Sequence, residues 1–122
     1  MLKARFENYI NDYTKYYEDK TFYSLDELKS YLKREVEKRC VSKTSTWWHN
    51  PCGVKTYNDG EKHGWFRAYG RDRNAYDLWL TQVETSEGVV VFVENKYCSP
   101  KMYEFLKDLH DEFETKPVYG DL

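Results

Sequence analysis

Residues 2–18 read LKARFENYINDYTKYYE, and the reading of this stretch decides how the chain opens. Leu2, Phe6, Tyr9, Ile10, Tyr13 and Tyr17 recur at steps of three and four, the spacing of one stripe on an α-helix. Lys3, Glu7, Asn8, Asn11 and Lys15 fall on the opposite side, and Tyr16 lies beside the stripe. The period predicts a first helix that fades near Asp19.

Working outward, Ser24-Leu-Asp-Glu27 is a capping box. The Ser24 hydroxyl can accept from the Glu27 N–H while the Glu27 carboxylate reaches back to the N–H of Ser24. Tyr23 and Leu28 are spaced to form a hydrophobic staple. Leu25, Leu28, Leu32 and Val36 supply the stripe of a second helix, to about Cys40. Residues 1–42 therefore read as a helical hairpin.

From Ser42 the period changes. Residues 43–49, rich in Thr and Trp, suit a strand. Asn50-Pro51-Cys52-Gly53 and Asn58-Asp59-Gly60 read as turns, with a short strand over 54–57 between them. Residues 63–69, 75–85 and 89–96 read as further strands, the last two joined tightly through Ser86-Glu87-Gly88. Ser99 caps a last helix, Pro100 occupies its first position, and Met102, Phe105, Leu106, Leu109 and Phe113 form its buried stripe. The expected architecture is α+β: two N-terminal helices, a four- to five-stranded antiparallel sheet and one C-terminal helix packed on the same sheet face. The sheet spans 43–97 and the last helix 98–115. A frayed tail covers 116–122, and 1–122 forms a single domain.

Leu, Ile, Val and Phe number 9, 1, 9 and 6 in the 122 residues, near the lower limit for a folding chain. A net charge of -2 and 4 Trp, 12 Tyr and 6 Phe argue against disorder, so rings must build much of the core. Transmembrane, collagen-like and disulfide-scaffold chains are excluded by composition. The N-terminus lacks the apolar core of a secretory signal. Cys40, Cys52 and Cys98 are odd in number and widely spaced, which suits reduced thiols in the cytoplasm.

Charge is unevenly spread. Residues 1–42 carry 9 basic and 8 acidic side chains, 43–76 carry 6 and 3, and 77–122 carry 4 and 10. The last helix holds Glu104, Asp108, Asp111, Glu112 and Glu114, either a solvated helix face or an acidic surface that steers a basic partner. The middle interleaves rings with cations: Trp47, Trp48, Lys62, Trp65, Arg67, Tyr69, Arg71 and Arg73. Bases stack on rings while Lys and Arg neutralise phosphates, so this set could bind single-stranded nucleic acid. No segment matches the RNP1 pattern, and the pI is only about 5.9. The bland reading is a core strand with a solvated turn.

His49-Asn-Pro-Cys52 has half the spacing of a zinc site, but no second paired half exists, and no metal or other cofactor is expected. His49 and His63 with Lys62, Arg67 and Tyr69 are the residue types of a metal-independent ribonuclease. No nucleophile elbow, phosphate loop or paired-carboxylate motif accompanies them, and the chain is read as non-enzymatic. His110 at the edge of the last stripe reads as a packed structural histidine.

The surplus of rings remains. A tyrosine buries a large face but its hydroxyl wants a partner or water, so twelve cannot all be central. Tyr, Trp and Arg also dominate protein-binding hot spots. Tyr13, Tyr16 and Tyr17, with Glu104, Asp108, Asp111 and Glu112, are the expected protein-binding residues. In size and composition the chain resembles accessory proteins of phages and mobile elements: anti-CRISPR and other anti-defence inhibitors, or immunity proteins that block a toxin. The likeness rests on smallness, richness in Lys, Tyr and Asn, and absence of catalytic motifs. It implies a non-enzymatic inhibitor or accessory protein that occludes a functional surface of another protein, a nuclease or other nucleic-acid-binding enzyme among the candidates. A homodimer is compatible with this reading and a membrane is not. The alternative is a single-stranded nucleic-acid binder using residues 47–73.

Overall fold

The computed structural model describes residues 1–11, 13–39, 51–72 and 75–115. The chain opens with two strands, β1 (Leu2–Tyr9) and β2 (Lys15–Phe22), followed by helix α1 (Leu25–Arg39). Then come β3 (Cys52–Thr56), β4 (Lys62–Asp72), β5 (Ala75–Thr85), β6 (Val90–Val93), β7 (Tyr97–Cys98) and helix α2 (Pro100–Thr115). The fold is α+β, but the expected pair of N-terminal helices is corrected to a hairpin and one helix. The expected four or five strands become, among the described residues, a seven-stranded antiparallel sheet. The expected strand over 43–49, Cys40 and the tail 116–122 lie outside the described residues.

The reason for the correction lies in the first strand. Leu2, Ala4 and Phe6 alternate with Lys3, Arg5 and Glu7, and Ala4 and Phe6 are fully buried. That is period two, with one face in the core and one outside. The charged set meets opposite charges across the sheet: Lys3 with Glu84 (2.6 Å), Arg5 with Asp19 (2.9 Å) and Glu7 with Lys15. A helix stripe would have buried Tyr13 and Tyr17, which are 95% and 62% exposed. Asn11 closes the hairpin, its side-chain oxygen accepting from the N–H groups of Tyr13 and Thr14. This is an asparagine turn placed in the middle of the supposed stripe.

The main strand order is β2-β1-β5-β4-β3. On its other edge β5 pairs first with β4, through Ala75–Leu80, and then with β6, through Gln82–Glu84. Thr81 is the extra residue of a bulge against β1, and its carbonyl takes the Glu94 N–H at 3.0 Å. The turn after β6 docks on β4, where the Asn95 N–H donates to the Gly64 carbonyl at 2.9 Å. Asn95 itself sits at φ 57, a left-handed conformation that Asn tolerates.

Both helices cover one sheet face. Leu28, Leu32 and Val36 of α1, and Met102, Phe105, Leu106, Leu109 and Phe113 of α2, form one buried cluster with Phe6, Phe66, Leu78, Leu80, Val83 and Phe92. Each such side chain contributes roughly 1.5–3 kcal/mol by leaving water. Tyr31 fills the seam, edge-on to Phe6 and tilted against Phe22.

The capping signals are realised with adjustments. The Glu27 N–H donates to Ser24 Oγ at 3.2 Å, but the Glu27 carboxylate accepts from the N–H of Tyr23 rather than Ser24. Tyr23 is exposed and so does not staple onto Leu28. Ser99 Oγ accepts from the Met102 N–H, capping α2 as expected. Cys52 and Gly53, expected in a turn, instead begin β3. Gly53 faces Trp65, and a Cβ there would lie 2.2 Å from the indole. The glycine is where the strand accepts a ring laid flat across it.

Candidate functional site

The sheet face away from the helices carries rings and matched charges. Trp65, Arg67 and Tyr69 share this side of β4, and Trp79 of β5 lies directly opposite Arg67. The Arg67 guanidinium stacks 3.9 Å above the Trp79 ring, and Tyr9 of β1 packs on that ring from the other side at 5.2 Å. Arg67 also donates to the Glu94 carboxylate through Nε at 3.2 Å and through Nη2. Lys15 donates to Glu7, which is buried beneath it. Arg5 hydrogen-bonds Asp19 and holds that carboxyl below the usual range, against the opposing effect of partial desolvation. Lys3, Arg5, Lys15 and Arg67 each therefore have a carboxylate partner within the chain.

This arrangement divides the residues expected to bind nucleic acid. Trp65, Arg67 and Tyr69 are together and half-exposed. Lys62 faces the helices, with its ammonium 4.9 Å from the Tyr103 ring centre. Arg67 is neutralised by Glu94. Arg71 lies in β4 opposite Tyr76. Trp47, Trp48, His49 and Arg73 lie outside the described residues. The His63 ring lies tilted against Tyr57 at 4.4 Å and meets Glu61 at 3.4 Å, on the opposite side of β4 from Lys62. Lys62 and His63 therefore lie on opposite faces, whereas Arg67 and Tyr69 share the face of His63.

The thiols are equally withdrawn. Burial raises the Cys98 thiol to about 11 and pushes Cys52 higher still, so neither is a thiolate at neutral pH. Cys52 Sγ lies 3.9 Å from the Leu106 carbonyl, deep under α2. Among the described residues no three His, Cys, Asp or Glu side chains gather as metal ligands. No helix among them is long and apolar enough to cross a membrane.

The residues expected to bind protein separate into two places. Glu104, Asp108 and Asp111 are exposed along α2. Glu112, from the same helix, is held by Lys29 at 2.7 Å and Lys33 at 3.5 Å of α1. Its hydrogen bond with Lys29, reinforced by both ammonium charges, keeps the carboxyl below its ordinary pKa. Glu112 is thus a strap between helices rather than part of a free acidic face. Tyr13, Tyr16 and Tyr17 lie at the other end of the molecule, on the β1–β2 hairpin. Tyr16 and Tyr17 are on the outermost strand, Ile10 and Tyr13 are exposed in the turn before it, and exposed Tyr23 follows its far end. Ile10, Tyr23, Tyr9 and Trp79 were not among the binding residues expected from the sequence. Trp79 could have been, because Leu78 and Leu80 alternate around it and place it opposite the core.

Comparison with protein-family models, with curated proteins and with solved structures finds no match to this chain.

Proposed function

We propose that this chain is a small non-enzymatic protein-binding domain, an inhibitor or accessory protein that works by covering a functional surface of its partner. One observation carries the reading: Ile10, Tyr13, Tyr16 and Tyr17 stand exposed around the turn end of the β1–β2 hairpin, at the edge of an otherwise charge-matched sheet. Exposed large apolar side chains are ordinary when scattered, but a cluster marks an interaction site. Tyrosine suits such a site because it brings a large contact area with few rotatable bonds and a polar tip. The composition extends the proposal to the anti-defence or toxin-immunity inhibitors of phages and mobile elements. The exposed Glu104, Asp108 and Asp111 supply a second, acidic contact for a basic partner.

The test is capture of partners from the native host with the wild-type chain and with Tyr13→Ala/Tyr16→Ala. A partner whose recovery falls at least about tenfold, the equivalent of about 1.4 kcal/mol, supports the reading. Equal recovery by both baits, or none by either, overturns it.

A further inference from the structure

The outer edge of β2 is free: among the described residues it pairs with β1 and with no other strand. Such an edge presents a row of backbone N–H and C=O groups that can template another strand. Charged side chains usually blunt an edge, and β2 carries Lys15, Glu18, Asp19 and Lys20. Whether these charges repel or attract a second copy depends on register.

In an antiparallel pair, facing residues share a sheet face. Lys15, Tyr17 and Asp19 belong to the open face, because they sit opposite Tyr9, Glu7 and Arg5 of β1. Two copies that extend one continuous sheet about a two-fold axis must therefore centre that axis on a residue. Centred on Glu18, Asp19 or Lys20, the pair sets a charge against itself, which is unfavourable. Centred on Tyr16, only Lys15–Tyr17 of each strand overlaps. Centred on Tyr17, Lys15 faces the partner's Asp19 at both ends of the pairing, and the two Tyr17 rings meet on the axis.

We propose that the chain self-associates through β2 in this register, forming an isologous dimer with a continuous sheet. The proposal rests on the reading of the β1–β2 hairpin as a contact surface and names a second copy as its occupant. Charge complementarity selects the register. Within one copy Glu7 holds Lys15 and Arg5 holds Asp19. Across the axis these become a row of alternating signs, from Glu7 and Lys15 to the partner's Asp19 and the partner's Arg5. The two-fold axis runs through the sheet, so both copies place their helices on the same side of the joined sheet.

Sedimentation velocity across the micromolar range tests this. The wild-type mass should rise toward twice that of the monomer. Tyr17→Lys, which sets two cations on the axis, should stay monomeric. Tyr17 is largely exposed, so the variant should fold, as circular dichroism will check. In a Cys40→Ser background, Tyr17→Cys should oxidise to a covalent dimer, while Glu18→Cys should not, because it faces the partner's Tyr16. A monomer at every concentration, a dimer that survives Tyr17→Lys, or equal cross-linking by both cysteine variants overturns the proposal. If the wild type is monomeric yet its host partner is lost from Tyr13→Ala/Tyr16→Ala, self-pairing falls and the proposed function stands. If the dimer behaves as expected and no host partner is captured, the reverse holds.

Discussion

Trp65 lies across Gly53 because nothing larger than hydrogen fits beneath it. Gly53→Ala would ordinarily help a strand by reducing backbone entropy. Here the new methyl meets the indole at 2.2 Å, and overpacking of this kind costs about 1–3 kcal/mol. Thermal unfolding of Gly53→Ala, Trp65→Ala and the double variant should show the alanine penalty shrinking once the ring is removed. Additive effects would show that the ring moves aside freely. The role of Gly53 was not legible in the sequence, where Pro51 and Gly53 together imitate a turn. Only the partner strand distinguishes a turn glycine from one that makes room.

The Ser24 and Ser99 N-caps were read correctly because their chemistry is local. Ser99 Oγ bonds the Met102 N–H three residues on, and no distant group is needed. Ser99→Ala should cost about 0.5–2 kcal/mol in chemical denaturation, with an unchanged denaturant slope. No loss would show that the cap is replaced by water. The strap from Glu112 to Lys29 and Lys33 joins α2 to α1 and could not be seen locally. Its folded-state pKa is depressed, so its stabilisation is fully present above the unfolded carboxyl pKa of about 4.3 and is lost as pH falls through the folded value. The group is 39% exposed, which limits the effect to about 1 kcal/mol or less. Glu112→Gln should therefore be slightly less stable than wild type at pH 7 and indistinguishable at about pH 3. A gap that persists in acid would assign the loss to packing instead.

At the scale of the molecule, the open face decides how the basic, aromatic middle is used. Its central cation, Arg67, is already stacked on Trp79 and paired with Glu94, and Lys62 lies on the far side. Counterion release by phosphate contacts needs cations that are not already neutralised. A labelled single-stranded oligonucleotide should therefore give a flat titration at low salt. Saturable binding that weakens steeply with salt and is lost in Trp65→Ala would restore the nucleic-acid reading at the expense of the protein-binding one.

The sequence by itself determined helices α1 and α2, the Ser24 and Ser99 caps at their starts, the glycine turns at Gly60 and Gly88, and the span of β5, because each depends on residues a few positions apart. It did not determine the opening hairpin. Leu2, Phe6, Tyr9, Ile10, Tyr13 and Tyr17 satisfy a helical spacing, while Leu2, Ala4 and Phe6 satisfy a strand spacing within the same residues. The tie is broken only by β5, whose Val83 and Leu80 bury beside Ala4 and Phe6 and whose Glu84 takes the charge of Lys3. Those partners lie more than seventy residues away in the chain, and no local period can report them. With the hairpin in place, the tertiary structure also separated the tyrosines of β2 from the acids of α2, so that composition counted one surplus and folding made two surfaces of it.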